Sequence, residues 1–217
     1  MPQYLVNEVF RSIQGEGSMQ GRPCLFIRFQ GCGVNCPFCD TKYARDCLKE
    51  NQLPDESEDV FKKNANPGYA AFSLKTLLRY SLLHTQEEDL CVLTGGEPCL
   101  QPIYDLTEAL IREKREVAIE TSGCAEICAH PETFVTLSPK NTFISASNWQ
   151  RANEIKLIVQ NRKDVDRFSK ELASVPRRKI CLQPMSCSQE ALMLCLELCQ
   201  EKNWRLSVQL HKYLNIP

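Results

Sequence analysis

Short apolar runs alternate with amphipathic segments along most of the chain. The runs, bounded by turn residues, predict β-strands at 24–30, 90–94, 117–121, 134–137, 154–159, 179–182 and 205–209. Apolar residues spaced three and four positions apart predict α-helices at 73–83, 103–113, 163–173 and 189–201. This alternation predicts a mostly parallel sheet with helical crossovers. About six such units are fewer than the eight of a closed barrel, so we expect an α/β fold with an open, partial β/α barrel and a site at the carboxyl ends of its strands.

The segment 43–71 interrupts this rhythm. It is polar and charged, and it contains Pro54, Pro67 and Gly68. A long irregular stretch inside a regular fold is typical of an insertion or a lid over a site. We therefore predict one domain over 1–217 with an inserted excursion at 43–71.

Composition narrows the classes of protein that fit. The chain has 217 residues, 43% of them hydrophobic, and a formal net charge of -1. Without a positive field or a basic stripe, we expect no direct binding to nucleic acid. The first ten residues do not resemble an export signal and no long apolar run follows, so we expect a cytoplasmic protein that does not enter the membrane.

The cysteines carry the clearest chemical signal. There are thirteen, an odd number, and in a reducing cytosol clustered thiols bind metal more often than they form disulfides. The one tight cluster is Cys32, Cys36 and Cys39, directly after a predicted strand. The others, such as Cys24, Cys91, Cys181, Cys195 and Cys199, lie singly in apolar runs and are expected to be buried thiols.

Three thiolates in eight residues favour an iron-sulfur cluster over zinc. Three ligands leave one iron of a 4Fe-4S cluster open to an exogenous ligand. Structural zinc takes four ligands, and the C-x3-C-x2-C spacing is atypical for it, although Cys47 is available as a fourth thiolate and keeps zinc open.

The spacing, with Phe38 in the aromatic place, resembles the C-x3-C-x-aromatic-C signature of the radical S-adenosylmethionine (SAM) superfamily. A second superfamily element, Thr94-Gly95-Gly96-Glu97-Pro98, follows the predicted strand 90–94. The resemblance implies a partial barrel of the radical SAM type, with a 4Fe-4S cluster whose open iron is chelated by SAM. It also implies that the glycine segment cradles the amino group of SAM, with Glu97 accepting from the ammonium.

Other polar residues suggest a small heterocyclic substrate. The segment 10–17 carries amide, carboxylate and glycine groups suited to a planar polar ring. Arg28 lies inside an apolar strand, where an unpaired guanidinium is costly, so it should meet a carboxylate of the protein or of a ligand.

Together with Cys39-Asp40-Thr41 and the segments 120–123, 138–140, 183–184 and 211–217, these residues resemble the 7-carboxy-7-deazaguanine synthase family. The resemblance implies conversion of 6-carboxy-5,6,7,8-tetrahydropterin to 7-carboxy-7-deazaguanine with loss of ammonia, in queuosine (7-deazapurine) biosynthesis. SAM is expected to act catalytically and Mg²⁺ to assist the ring contraction. A homodimer and a flavodoxin or ferredoxin electron donor are also implied.

The same resemblance implies roles for individual residues. The metal ligands are Cys32, Cys36 and Cys39 for the cluster and Thr41 for Mg²⁺. The residues expected to hold SAM are Phe38, Cys39, Asp40, Gly95, Gly96, Glu97, Ser138, Pro139, Lys140, Gln183, Pro184, Met185 and Ser186. Those expected at the substrate are Ile13, Gln14, Gly15, Glu16, Arg28, Thr94, His211 and the terminal carboxylate of Pro217.

Two other functions fit parts of the sequence. A glycyl-radical-activating enzyme uses a similar cluster, but it needs an open groove for a polypeptide loop, whereas the 14–17 turn and Arg28 suggest a closed polar pocket. A non-enzymatic metal-binding or electron-transfer module has no use for the segment 95–98.

Overall fold

A computed structural model describes residues 3–62, 68–140 and 143–216. Within these ranges a nine-stranded sheet runs in the order β3-β1-β2-β4-β5-β6-β7-β8-β9. The strands are β1 (Gln3–Ile13), β2 (Pro23–Phe29), β3 (Ala70–Ser73), β4 (Leu90–Gly95), β5 (Glu116–Thr121), β6 (Phe134–Leu137), β7 (Glu154–Val159), β8 (Ile180–Pro184) and β9 (Arg205–Leu206). The helices are α1 (Leu74–Leu83), α2 (Ile103–Arg112), α3 (Ala146–Arg151), α4 (Lys163–Asp166), α5 (Ser169–Leu172), α6 (Gln189–Lys202) and α7 (Leu210–Leu214).

The sheet is open and mostly parallel. Each neighbouring pair from β2 through β9 is parallel, whereas β1 pairs antiparallel with both β2 and β3. Because β3 and β9 end the strand order, the barrel does not close. The predicted α/β fold with a partial β/α barrel is confirmed.

Every strand predicted from the apolar runs is present, but β1 and β3 were missed. β1 mixes polar and apolar residues, and the adjacent polar residues Asn7 and Glu8 interrupt its apolar pattern. The helix predicted at 163–173 is wrong in length: it is two short helices, α4 and α5, with a non-helical Phe168 between them. The ring of Phe168 packs 6.0 Å from that of Trp149, a tertiary contact outside the helical pattern.

Apolar side chains fill both faces of the sheet. On the outer face, α1 and α2 pack against one half of the sheet and α4 to α6 against the other. On the inner face, Cys24, Leu90, Val92 and Ala118 form a small apolar cluster among β2, β4 and β5. Cys24, Cys91, Cys181 and Cys195 are buried thiols as predicted, while Cys199 is half-buried.

The excursion packs on the core rather than over the site. Val60 is buried in the core, and Phe61 stacks on Tyr80 of α1 with ring centroids 3.4 Å apart. Residues 70 and 71, assigned to the excursion from the sequence, belong to β3. Its apolar residues account for this placement, since they gain more from burial than from covering a polar pocket. The structure therefore does not support a lid formed by the described parts of 43–71.

Across the described ranges, the helices are all too short or too polar to span a bilayer.

The buried face of α2 should contribute strongly to stability. Leu106 is fully buried, whereas Leu83 at the end of α1 is 69% exposed. Leu106→Ala is expected to lower the free energy of unfolding by about 2–5 kcal/mol, because it removes apolar contacts and leaves a cavity. Leu83→Ala, the matched control, should change it by less than about 1 kcal/mol. Urea unfolding of both variants would measure the difference, and equal losses would contradict the assignment of this face.

Candidate active site

A cavity of about 270 Å³ opens at the carboxyl ends of the strands. The predicted residues that line it are Ile13, Gln14, Gly15, Glu16, Arg28, Cys32, Cys36, Phe38, Cys39, Asp40, Thr41, Thr94, Gly95, Gly96, Ser138, Lys140, Gln183, Met185, Ser186 and His211. Glu97, Pro139 and Pro184 are buried and do not line it. Pro217 lies outside the described residues. The fold thus brings residues that are far apart in sequence together around one cavity.

The cysteine loop leaves the end of β2 and is held by backbone hydrogen bonds. The amides of Gly31 and Cys32 donate to the carbonyls of Ala44 and Arg45, both at 2.9 Å. The Arg45 guanidinium donates to Asn35 Oδ1 at 2.6 Å, which closes the loop from outside. The loop therefore presents three thiols to the cavity from a fixed base.

Burial is the largest influence on the pKa of two thiols of the loop. It raises the pKa of Cys32 and of Cys36, although the nearby Lys140 ammonium opposes the rise at Cys36. In the described parts of the chain, no three His, Cys, Asp or Glu side chains are already drawn together as a metal site. Binding of a positively charged metal group would favour the thiolate forms.

The Gly95-Gly96 turn serves the packing of the cysteine loop. A Cβ on Gly96 would lie 2.2 Å from the carbonyl oxygen of Gly31, and Gly95 has a φ of +119°. The Gly96 amide donates to the carbonyl of Phe29 at 2.9 Å. The close backbone approach that requires glycine is thus visible between two segments of the protein itself.

Glu97 is buried in the turn after β4. Only 1% of it is exposed, and its carboxylate accepts from the amide of Cys99 at 3.0 Å, the hydroxyl of Thr121 at 2.6 Å and the amide of Ser122 at 2.9 Å. These bonds tie the turn after β4 to the end of β5. The predicted contact of Glu97 with SAM stays a prediction.

Lys140 stands beside the cysteine loop. Its ammonium donates to Ser138 Oγ at 2.9 Å and lies 5.5 Å from the centre of the Phe38 ring. Burial lowers the pKa of this lysine, and repulsion from Lys156 adds to the effect. Phe38, Ser138 and Lys140 thus form a contact between the loop and the segment after β6.

Arg28 meets a carboxylate of the protein, as its position in an apolar strand predicts. Its Nε lies 3.3 Å from Glu8 Oε2, and its guanidinium lies over the rings of Phe10 and Tyr43 at 5.6 Å and 6.0 Å. Its side chain is 15% exposed and lines the cavity. Arg28 therefore lines the cavity while its guanidinium packs against two aromatic rings.

The 14–17 turn is held against the end of the chain. The Gly15 carbonyl accepts from the Leu210 amide at 2.9 Å, and a Cβ on Gly15 would lie 2.3 Å from His211 Nδ1. Burial lowers the pKa of His211, although Glu16 opposes the change. The close approach explains a glycine at position 15 and brings His211 to the cavity.

Three polar side chains to which the sequence analysis gave no role also line the cavity: Glu120, whose segment 120–123 was part of the resemblance, and Lys156 and Gln209, which were not named. The ammonium of Lys156 lies 2.6 Å from both Glu16 Oε2 and Glu120 Oε2. Gln209 Nε2 donates to Glu16 Oε1 at 3.0 Å. A signal was available for Lys156, because a charged residue inside a buried parallel strand is expensive unless it is paired.

Lys156 opposes the effect of burial on the pKa of both of its carboxylate partners. At Glu16 burial opposes ionisation, but the Lys156 ammonium and its hydrogen bond lower the pKa to about 2. At Glu120 burial dominates and raises the pKa, and Lys156 offsets it only in part. The pKa of Lys156 is raised, because both carboxylates together outweigh its burial.

The lining residues fit the groups that the sequence implies. The three thiols line the cavity without Cys47, which is exposed, so the donor set fits a cluster with an open iron better than a closed four-cysteine zinc site. Thr41 offers a hydroxyl 3.7 Å from Cys39 Sγ, beside Asp40. Hard oxygen donors of this kind suit Mg²⁺.

An open α/β barrel with three thiols and paired charges at the carboxyl ends of its strands defines an enzyme of the radical SAM fold. No protein-family model matches the chain. The 7-carboxy-7-deazaguanine synthase of Buchnera aphidicola is 41% identical over 217 residues, covering 98% of this chain and 99% of the relative. The enzyme of the same name from Escherichia coli K12 is 39% identical over 222 residues, covering 99% of each.

The solved structures agree with these relatives. The crystal structure of QueE from Escherichia coli superposes with a TM-score of 0.87 at 37% identity, covering 96% of this chain and 95% of that chain. The chain belongs to the 7-carboxy-7-deazaguanine synthase family. The family of enzymes named from the sequence is confirmed.

The role of Glu97 can be tested by its stability effect. Glu97→Gln replaces one accepting oxygen by an NH₂ group among buried donors, so the free energy of unfolding should fall by about 1–3 kcal/mol. Glu126→Gln, in the exposed part of the following segment, is the matched control and should change it by less than about 0.5 kcal/mol. Urea unfolding would measure both, and an unchanged midpoint for Glu97→Gln would show that the carboxylate does not hold the turn.

Proposed function

We propose that this chain is a radical SAM enzyme that converts 6-carboxy-5,6,7,8-tetrahydropterin to 7-carboxy-7-deazaguanine with release of ammonia, in queuosine biosynthesis. The observation that carries the proposal is that the three-cysteine loop and the Arg28, Glu16 and Glu120 side chains line the same cavity. A redox group and a polar heterocycle bound there would be neighbours. The family relatives support the same reaction.

The lining charges suit this substrate. The Arg28 guanidinium is placed to pair with the substrate carboxylate, since a guanidinium binds a carboxylate through two parallel hydrogen bonds. Glu16 and Glu120 present accepting oxygens for the N–H groups of the pterin ring, and Gln14 presents an amide. Ile13 and Thr94 border the same space. Acceptors on one side and a cation on another would orient the ring before reaction.

The implied groups fit the remaining residues. When bound, the cluster and SAM supply hydrogen-atom abstraction from C6 of the pterin, with SAM regenerated, and Mg²⁺ supplies charge stabilisation during ring contraction. Cys32, Cys36 and Cys39 would hold the cluster and Thr41 the Mg²⁺. The SAM site would be formed by the loop from Phe38 to Asp40, the Gly95-Gly96 turn, Ser138, Lys140 and the 183–186 segment.

The proposal extends to partners. We infer a cytoplasmic homodimer that receives its electron from a flavodoxin or ferredoxin. A binding site for a polypeptide loop, as a glycyl-radical-activating enzyme requires, fits a half-enclosed cavity lined by paired charges less well.

The reaction can be tested directly. Anaerobic, iron-reconstituted and reduced protein is incubated with SAM, Mg²⁺ and 6-carboxytetrahydropterin, and the products are analysed by mass spectrometry. We expect 7-carboxy-7-deazaguanine from the natural chain and none from Cys36→Ala, which removes one cluster ligand. Cleavage of SAM without a deazapurine would leave a radical SAM enzyme with another substrate. No SAM cleavage in cluster-loaded protein would favour a metal-binding module.

The assignment of Thr41 predicts a change in metal dependence. Thr41→Ala should raise the Mg²⁺ concentration needed for half-maximal turnover by about tenfold or more, because an oxygen ligand is lost, while iron content stays unchanged. Lys42→Ala changes the next, exposed residue, which does not line the cavity, and should leave the Mg²⁺ requirement as it is. An unchanged Mg²⁺ titration for Thr41→Ala would remove Thr41 from the metal site.

A further inference from the structure

Lys156 on β7 is a buried cation to which the proposed reaction assigns no role. Lys156 is 3% exposed, and its side chain lies between the turn after β1 and the end of β5. We propose that Lys156 is a positioning residue that clamps Glu16 and Glu120 together as an acceptor pair for the polar edge of the substrate ring. The inference rests on the proposed function for its ligand, while the clamp itself rests on the protein's geometry.

The clamp connects three separate elements. Lys156 Nζ lies 2.6 Å from one oxygen of each carboxylate, so these two oxygens are within about 5 Å of each other. Gln209 and Gln14 donate to the second oxygens of Glu16 and Glu120 at 3.0 Å and 3.3 Å. An ionised carboxylate oxygen can accept more than one hydrogen bond, so both groups retain capacity for a ligand. All five side chains line the cavity.

The surroundings make Lys156 the decisive cation. The other charged or titratable groups that face the three residues are Lys140 after β6, Glu154 on β7, Cys181 on β8 and His211 on α7. Glu154 is paired with Arg205, and the Lys140 ammonium donates to Ser138 Oγ. Among the cations of the described residues, only Lys156 is hydrogen-bonded to both Glu16 and Glu120.

Removal of this cation has a consequence that a purely packing role would not produce. Two carboxylates this close in a desolvated site cannot both stay ionised, so one takes up a proton and becomes a donor. The loss of Lys156 raises the carboxylate pKa values, and the acceptor pair is then lost as the pH falls. With Lys156 present, the acceptor pair persists to lower pH.

The first measurement is anaerobic binding of 6-carboxytetrahydropterin to cluster-loaded protein between pH 6 and 9. In Lys156→Met we expect the affinity to fall by about tenfold or more, with a loss that grows as the pH falls. Lys179→Met removes a partly buried ammonium that bonds the Ala152 carbonyl outside the cavity, and it should follow the natural chain at every pH. A folded Lys156→Met whose pH profile parallels that of the natural chain would overturn the proposal.

The second measurement tests the clamp without any ligand. Thermal unfolding is compared for the natural chain, Glu120→Gln, Lys156→Met and the double variant. Glu120→Gln should lower the melting temperature of the natural chain but raise that of Lys156→Met, because it removes the repulsion that the lost ammonium leaves behind. The same sign in both backgrounds would overturn the clamp. If Lys156→Met does not fold, a double variant that is no more stable would also overturn it.

The two measurements separate the two hypotheses. If the natural chain does not bind the pterin, the proposed function fails and the clamp is judged by the unfolding cycle alone. If the natural chain binds the pterin and the cycle shows one sign, the proposed function stands and the clamp fails.

Discussion

β2 and the strands β4 to β9 run parallel to one another, so their carboxyl ends all lie at the same edge of the sheet. The cysteine loop leaves β2 there, Glu120 lies near the end of β5, and Lys156 on β7 reaches Glu120 with its side chain. Because side chains alternate between the faces, a shift of one residue in register would turn Arg28 or Lys156 away from the cavity. The apolar layers and the polar site therefore depend on the same hydrogen-bonded register.

Buried carboxylates in the sheet and next to it are matched by partners from other elements. Glu97 accepts from the end of β5, Glu154 pairs with Arg205, and Lys156 joins Glu16 to Glu120. Buried ion pairs repay little of their desolvation cost, so they are weak evidence for a stabilising role. The Glu16–Lys156–Glu120 cluster lines the cavity, and it is better explained by chemistry that needs fixed charges in a half-enclosed site.

The excursion contributes indirectly to the site. The buried amide of Gln30 donates to the carbonyls of Tyr43 and Asp46, and the carbonyl of Ala44 receives the Gly31 amide. These bonds fix the two ends of the cysteine loop against the sheet. Later in the excursion, Phe61 packs against the rings of Phe72 and Tyr80 in the core. The excursion thus supports the loop from behind rather than covering the cavity.

Local periodicity and motif spacing predicted the parallel strands and the cysteine loop, because both depend on neighbours in the chain. Most of the lining residues were implied by the family resemblance that those motifs carry. The sequence pattern did not predict β1, which is held as a strand by its pairing with β2 and β3. It also did not predict the break between α4 and α5. The inward turn of Glu97 and the Glu16–Lys156–Glu120 cluster were also decided by the tertiary structure. Residues separated by more than a hundred positions meet there, and charge pairing between them depends on burial and distance, which exist only after the chain has folded.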